Sequence, residues 1–116
     1  MIRPHPLAPG AFDADVVIVE GSPRVRVRGE LDLHTGAVLW AVSQPTIERV
    51  PPEGTLVIDL SALSFIDAAG IGVLVRLGNE LGLAGKHLQV DAKCPTIRRV
   101  FEVTRLDAML STPAMR

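Results

Sequence analysis

A single carboxylate, Asp67, lies between an apolar stretch and a run of small residues, and this junction is well suited to binding chemistry. The stretch Leu56–Leu60 precedes it, and the segment Ala68-Ala69-Gly70-Ile71-Gly72 follows it. The pattern predicts a buried strand, a short loop and a helix over about Ala69–Leu83 with bare N–H groups in its first turn. Such N–H groups can bind an anion. Alternatively, Asp67 caps the helix by accepting hydrogen bonds from them.

A carboxylate, an imidazole and a hydroxyl follow one another closely at Asp32, His34 and Thr35. These groups could hydrolyse a substrate if they met at one point, but neighbours on one extended or helix-entry segment rarely converge. We expect Thr35 to be the N-cap of a first helix, and Asp32 to help start that helix. His34 is interpreted as a surface residue. Since no pair of nucleophile and base is evident, the sequence predicts a protein that is not an enzyme.

The composition restricts the class of protein further. The 116 residues suit one domain with an ample core, since 47% of them are hydrophobic. A formal net charge of −1 without a basic cluster argues against a nucleic-acid partner. The single cysteine, Cys94, excludes an internal disulfide and a multi-cysteine metal site, and no cofactor is predicted. No stretch reaches the roughly 20 apolar residues that cross a bilayer, so we expect a cytoplasmic protein without membrane insertion.

The alternation of apolar and charged residues, together with the positions of proline and glycine, predicts the order β-β-α-β-α-β-α. Apolar and charged residues alternate over Arg24–Asp32, and Val16–Val19 should pair with this strand as an antiparallel hairpin. Pro45 should end or kink the first helix near Ser43. The almost continuously apolar Leu56–Leu60 predicts a short central strand that is buried on both faces. The predicted fold class is a single α/β domain, a mixed, mainly parallel sheet packed with helices.

The later elements follow the same rules. A strand is predicted around Leu88–Ala92, and Pro95 should take the first position of a third helix. The second helix contains Gly72, Gly78 and Gly82, each of which lowers helix stability by roughly 1 kcal/mol relative to Ala. Their presence predicts a close approach of this helix to the sheet or to a partner.

Four motifs in the correct order resemble the STAS family, which is named for sulphate transporters and anti-sigma factor antagonists. They are Gly29-Glu30-Leu31-Asp32-x-x-Thr35, Asp59-Leu60-Ser61, Phe65-Ile66-Asp67-x-x-Gly70-Ile71-Gly72-Val73-Leu74 and Arg99-Val100-Phe101-Glu102-Val103-Thr104-x-Leu106-Asp107. The resemblance extends from about Val16 to Leu110 and implies a STAS-like domain over residues 15–112. Residues 1–14 would then form a flexible leader, and residues 113–116 a short tail.

Two departures from the family pattern change what the resemblance implies. Ala68 occupies the position of the Ser that is phosphorylated in anti-anti-sigma factors, so no phosphorylation is expected at this loop. Ser61 and Ser64 are not expected to replace it, because they precede the tip of the second helix. Arg105 replaces the Gly of the family's Thr-Gly-Leu motif, which predicts a different end for the third helix.

The resemblance implies an anti-sigma factor antagonist-like regulator. Its partner would be an anti-sigma factor or serine kinase of the ATPase fold, bound without phosphate control. The implied contact residues lie at the starts of the first and second helices: Asp32, Thr35, Asp67, Ala68, Ala69, Gly70 and Gly72. Alternatives that stay open are a STAS subunit of a lipid-transporting ABC system, a small-ligand or nucleotide-sensing module, and formation of a homodimer.

Overall fold

Four strands form one sheet in the order in which they occur in the chain. They are β1 (Asp13–Val19), β2 (Ser22–Leu31), β3 (Thr55–Ile66) and β4 (His87–Asp91) in a computed structural model that describes residues 11–110. β1 pairs antiparallel with β2, whereas β2, β3 and β4 are mutually parallel. The predicted hairpin and the mixed, mainly parallel sheet are therefore confirmed. β1 begins inside the segment predicted as leader, and residues 1–10 and 111–116, which include the predicted tail, lie outside the described residues.

Three α-helices connect or follow the strands. They are α1 (Leu33–Ser43), α2 (Ala68–Leu83) and α3 (Pro95–Val103). α1 ends at Ser43 and continues as a 3₁₀ helix over Gln44–Arg49, because Pro45 cannot donate a backbone hydrogen bond to the preceding turn. The predicted end of the first helix is thus confirmed, as is the position of Pro95 at the start of the third.

Within residues 11–110, the three α-helices belong to one side of the sheet, and no described element covers its other face. Right-handed crossovers between sequentially ordered parallel strands place α1 and α2 on the same face, where Gly36 of α1 lies against Val73 of α2. Val25, Ile58 and Val90 are partners across the three parallel strands and are fully buried. The opposite face carries charged side chains, and it includes Asp59 of the central strand.

The prediction that the central strand is short and buried on both faces is wrong. β3 runs to Ile66, and its pairing with β2 shifts register twice. Each shift adds a residue to β3, so Leu60, Leu63 and Ile66 are buried at a spacing of three instead of two. The predicted loop before α2 is consequently reduced to Asp67 alone.

The end of α3 also differs from its prediction. Arg105 has a φ of 63°, the left-handed conformation that glycine adopts most readily. The N–H of Leu106 donates to the carbonyl of Phe101 at 2.7 Å, and the N–H of Arg105 donates to that of Glu102 at 3.1 Å. These two hydrogen bonds form a Schellman motif, so the helix ends as it would with glycine, although the residue is arginine.

Candidate functional site

The starts of α1 and α2 are neighbours at one edge of the sheet. Leu31 and Ile66, the last residues of β2 and β3, are paired, and each strand leads into its helix through one aspartate. The N–H of Asp67 donates to the carbonyl of Leu31 at 3.2 Å, which fixes the two junctions to each other. The structure therefore brings together the two polar segments that the sequence places 35 residues apart, at Asp32 and Asp67.

Asp32 is the N-cap of α1, so the prediction that Thr35 takes this position is wrong. One oxygen of Asp32 accepts from the N–H groups of His34 and Thr35, both at 3.0 Å. The Thr35 hydroxyl accepts from the N–H of Asp32 at 2.8 Å and donates to the carbonyl of Glu30 at 2.7 Å. This reciprocal capping box commits the hydroxyl to the backbone, which leaves no nucleophile for hydrolysis here.

The hydrogen bonds of the capping box also set the charge of Asp32. The N–H of Thr35 lowers the pKa of this carboxyl most, the N–H of His34 lowers it further, and partial burial opposes them. The pKa of Asp32 is therefore below its ordinary value. The carboxylate stays ionised at neutral pH as a fixed part of the helix start.

Asp67 caps α2, as the structural interpretation of the sequence predicts. Its carboxylate accepts from the N–H of Gly70 at 3.0 Å. The next two residues of the helix have different surroundings, since Ala68 is exposed and Ala69 is half-buried. Ala68, which lacks a hydroxyl, therefore lies at the solvent-facing tip of the helix.

The glycines of α2 have separate roles. A Cβ at Gly70 would lie 2.8 Å from the carbonyl oxygen and from Cγ of Leu31, so this glycine allows α2 to meet the end of β2. A Cβ at Gly72 or Gly82 would have no neighbour within 4 Å, and one at Gly78 would make an ordinary contact. The predicted close approach to the sheet at these three positions is not found, and Gly72 is exposed beside the helix tip.

The aspartates make the helix starts poor anion sites. Asp32 already occupies two N–H groups of α1, and Asp67 occupies that of Gly70 in α2. An anion at either start would lie close to a carboxylate, which opposes the attraction of the helix dipole. The geometry therefore argues against a pocket for a small anion at these two helix starts.

Two large apolar side chains close in sequence to the helix starts are exposed, and the sequence interpretation singled out neither. Leu33, the first residue of α1, is 72% exposed, and Phe65, two residues before Asp67, is 46% exposed. Phe65 precedes the buried Ile66 in β3 and therefore points to the opposite face of the sheet.

A cavity of about 410 Å³ lies away from these helix starts, on the open face of the sheet. Its walls are mostly charged: Asp13, Asp15, Arg26, Val27, Arg28, Asp59, Ser61 and Ala62. Arg26 donates to Asp15 at 2.7 Å and lowers the pKa of that carboxyl, and nearby Arg24 donates to Asp91 at 2.5 Å. Two arginines of β2 are thus paired with carboxylates of neighbouring strands, and the cavity contains none of the predicted contact residues.

The remaining chemistry-bearing groups form no further site in the part of the chain that the structure describes. Within residues 11–110, no three His, Cys, Asp or Glu side chains lie close enough to hold a metal ion. Cys94 is half-buried at the N-terminus of α3, where the N–H groups of Ile97 and Thr96 lower the pKa of its thiol. No helix over this same range is long and apolar enough to cross a membrane.

The fold is an α/β domain of the kind found in solved anti-sigma factor antagonists. An antagonist from Mycobacterium paratuberculosis superimposes with a TM-score of 0.76 at 32% identity, over 89% of this chain and 86% of that one. SpoIIAA in its unphosphorylated form superimposes with a TM-score of 0.68 at 26% identity, over 87% of this chain and 86% of that one.

Sequence comparison defines the family. Residues 14–111 match the family model described as "Mlab, STAS domain", and the chain belongs to the STAS family. The anti-sigma F factor antagonist of Lysinibacillus sphaericus is 31% identical over 88 residues, which are 71% of this chain and 69% of that protein. The anti-sigma-B factor antagonist of Staphylococcus aureus (strain NCTC 8325 / PS 47) is also 31% identical, over 74% of this chain and 78% of that protein. The resemblance read from the four motifs is confirmed.

Proposed function

We propose that this protein is an anti-sigma factor antagonist-like regulator that acts in the cytoplasm by binding an anti-sigma factor, and not by catalysis. Relatives named as antagonists of two different anti-sigma factors support this function. The observation that carries it is the adjacent pair of capped helix starts, fixed to each other between Asp67 and Leu31, with Ala68 exposed at the tip. This arrangement gives a rigid, solvent-facing surface without a catalytic group.

The contact surface in this proposal consists of the predicted residues at both helix starts. Asp32, Thr35 and Asp67 hold the shape of the surface through their hydrogen bonds, and buried Gly70 brings α2 against β2. Exposed Ala68 and Gly72 and half-buried Ala69 offer small side chains that let a partner's backbone come close. The partner would be an anti-sigma factor of the ATPase-fold serine kinase type.

Phosphorylation does not control this surface in our proposal. SpoIIAA has been solved in a phosphorylated and in an unphosphorylated form, whereas Ala68 offers no oxygen for a phosphate group. The two nearest serines are engaged elsewhere: the Ser64 hydroxyl donates to the carbonyl of Gly29 at 3.1 Å, and the Ser61 hydroxyl donates to Asp59. The antagonist would then be permanently competent to bind, unless another signal regulates it.

A second candidate is the STAS subunit of a lipid-transporting ABC system. Ala68 favours it, because such a subunit docks on a nucleotide-binding subunit without a phosphorylation cycle. The small-ligand or nucleotide-sensing module has less support, since carboxylates occupy the helix starts and the charged cavity lies elsewhere.

Calorimetry with purified partners separates these candidates. The protein is titrated with the anti-sigma factors of its source genome, with the ATPase subunits of its lipid-transporting ABC systems, and with ATP alone. We expect saturable binding to an anti-sigma factor. Binding only to an ABC subunit, or only to the nucleotide, would overturn the proposal.

The same purified pair tests the absence of phosphate control. Incubation with labelled ATP followed by mass mapping should leave α2 without label, because neither Ala68 nor Ala69 has a hydroxyl. Stoichiometric label on Ser61, Ser64 or Thr35 would contradict the unregulated antagonist, while the binding result would stand.

A further inference from the structure

We propose that two copies of this protein form a symmetric homodimer in which their β1 strands pair antiparallel, edge to edge. This inference goes beyond the proposed function and does not depend on it. The two edges of the sheet differ: Leu110 forms a parallel bridge with Val90 at the β4 edge, whereas nothing within residues 11–110 pairs with the outer side of β1. An unpaired strand edge presents free N–H and C=O groups to which another strand can add.

β1 has none of the features that commonly keep a sheet edge from pairing. Its seven residues include no proline, lysine or glycine, and its pairing with β2 shows no register shift. Val16–Val19 is a run of β-branched residues, which favour strands. Ile18 and Val19 are 49% and 47% exposed. β1 therefore offers a regular, partly apolar edge to another strand.

Pro23 indicates which residues of β1 direct their backbone groups to the open edge. Pro23 lies opposite Ile18 and has no N–H, so this pair belongs to the class without mutual hydrogen bonds. The two classes of pair alternate along antiparallel strands, so Val16 and Ala14 belong to the same class as Ile18. The N–H and C=O groups of Ala14, Val16 and Ile18 therefore point outward, where a further strand can bind them.

The sequence of β1 complements an antiparallel copy of itself. Its first half carries Asp13 and Asp15, and its second half is uncharged. A two-fold axis at Val16 pairs the full length of both strands and sets each aspartate opposite a valine. In this register Ile18 lies opposite the small Ala14 of the second copy. An axis at Asp15 would set the two Asp15 carboxylates directly opposite each other, which is unfavourable.

The symmetry determines how the dimer presents the rest of the molecule. Pairing at β1 joins the two four-stranded sheets into one continuous sheet. Residues opposite each other in antiparallel strands project to the same face, so the helices of both copies lie on one side of it. Because the copies run in opposite directions, the helix starts at Asp32 and Asp67 lie at the two far ends. The dimer therefore carries two accessible helix-start surfaces that face opposite ways.

Sedimentation of the full chain over a range of concentrations tests the dimer. Ile18→Lys adds to the edge a charge that opposes strand pairing, while its aliphatic stem can cover the same surface and keep the fold. Leu83→Lys is a matched control, because Leu83 is an exposed aliphatic residue at the end of α2. We expect the parent and Leu83→Lys to dimerise alike, and Ile18→Lys to require at least about tenfold higher concentration. Thermal unfolding of each protein checks that it is folded.

A cysteine cross-link tests the register. Cys94→Ser removes the single cysteine at a helix N-cap that serine suits. In this background, Val16→Cys places two thiols at the two-fold axis, where hydrogen-bonded partners have Cα atoms about 5.5 Å apart, within disulfide range. Ile18→Cys is more exposed, but its two copies lie four residues out of register, roughly 13 Å apart. Oxidation with diamide should therefore cross-link Val16→Cys and leave Ile18→Cys monomeric in a denaturing gel.

The outcomes separate the dimer from its register. A parent that stays monomeric at every concentration overturns the proposal, and binding of an anti-sigma factor is unaffected because it needs one copy only. If folded Ile18→Lys dimerises as readily as Leu83→Lys, a surface other than β1 joins the copies. Cross-linking of Ile18→Cys but not of Val16→Cys would overturn the axis at Val16. If Ile18→Lys has lost its thermal transition, the cross-links decide.

Discussion

At position 68 a methyl group lies at the tip of a capped helix, in the place where the family resemblance predicts a serine hydroxyl. The residues beside Ala68 explain how this helix start keeps its shape. The carboxylate of Asp67 accepts a hydrogen bond from the N–H of Gly70, and the absence of a side chain at Gly70 lets α2 approach the carbonyl of Leu31. The shape of this helix start is therefore determined by the residues around Ala68, whose own side chain has no oxygen that could accept a phosphate group.

Two glycines on α2 should respond in opposite ways to the same substitution. Gly70→Ala should lower the free energy of unfolding by roughly 1–3 kcal/mol, because its Cβ would overlap the Leu31 carbonyl. Gly72→Ala should raise it by roughly 0.5–1 kcal/mol, because its Cβ meets nothing and alanine favours the helix. Denaturant titration of both variants measures the difference. A stabilised Gly70→Ala would show that α2 does not approach β2 as described.

At the scale of the elements, two helices end in the same motif with different residues. Gly85 (φ 74°) follows α2, and Arg105 (φ 63°) follows α3. In each case the next N–H reaches back to the helix, from Lys86 to Leu81 at 2.8 Å and from Leu106 to Phe101 at 2.7 Å. α3 therefore has a strained residue where α2 has an unstrained one.

This difference gives a prediction for Arg105→Gly. Releasing the left-handed strain of a side chain should stabilise the protein by roughly 1 kcal/mol, the lower end of the usual penalty. Gly85→Ala is the matched reverse change and should destabilise by a similar amount, since its Cβ has open space and only the backbone conformation opposes it. Thermal and denaturant unfolding of both variants test this. If Arg105→Gly were less stable than its parent, the contacts of the arginine side chain would contribute more to the free energy of unfolding than its backbone strain takes away.

The elements also show how far the sequence could predict this fold. Features that depend on residues close together in the sequence could be predicted. They are the order of strands and helices, the Asp67 cap and the end of α1 before Pro45. Thr35 and Asp32 both suit an N-cap, so only the position where β2 ends decides between them. The length of β3 was missed because two register shifts change its burial spacing, and a register shift depends on the neighbouring strand. Because of the same shifts, strict alternation along β3 does not predict that Phe65 points away from the helices.

At the scale of the whole molecule, the strand order places the helices on one side of the sheet and leaves its other face open among the described residues. Sequential parallel strands with helices on one side leave Arg24, Arg26, Asp59 and Asp91 on the other, where they pair with each other and with β1. Burial raises the pKa of Asp59, but hydrogen bonds from the N–H and hydroxyl of Ser61 and the charge of Arg24 lower it by more. Charges of this kind tie the stability of the whole domain to pH.

The free energy of unfolding should therefore fall in acid. The pKa values of Asp15, Asp32 and Asp59 are lowered in the folded protein, so the stability that they contribute is fully present above the ordinary pKa of about 3.9. It is lost as the pH falls through the lower, folded values. Asp32→Asn keeps the accepting oxygen of the cap without the titration, and it should reduce the acid slope. Urea unfolding of the parent and of Asp32→Asn from pH 7 to pH 3 measures how the free energy of unfolding of each changes with pH. If the two proteins show the same change, the pKa of Asp32 is not lowered by folding.

The affinity of Ala68→Asp for a purified anti-sigma factor tests the central claim most directly. A carboxylate at this helix start should leave stability nearly unchanged, since such a charge contributes roughly 0.3–1 kcal/mol of stabilisation. Thr96→Asp is a matched control, because it adds the same charge to the exposed first turn of α3. We expect Ala68→Asp to bind at least about tenfold more weakly than the parent, because the interface would desolvate the new charge, and Thr96→Asp to bind unchanged. An Ala68→Asp variant that binds as tightly as the parent would show that the tip of α2 is not the docking surface.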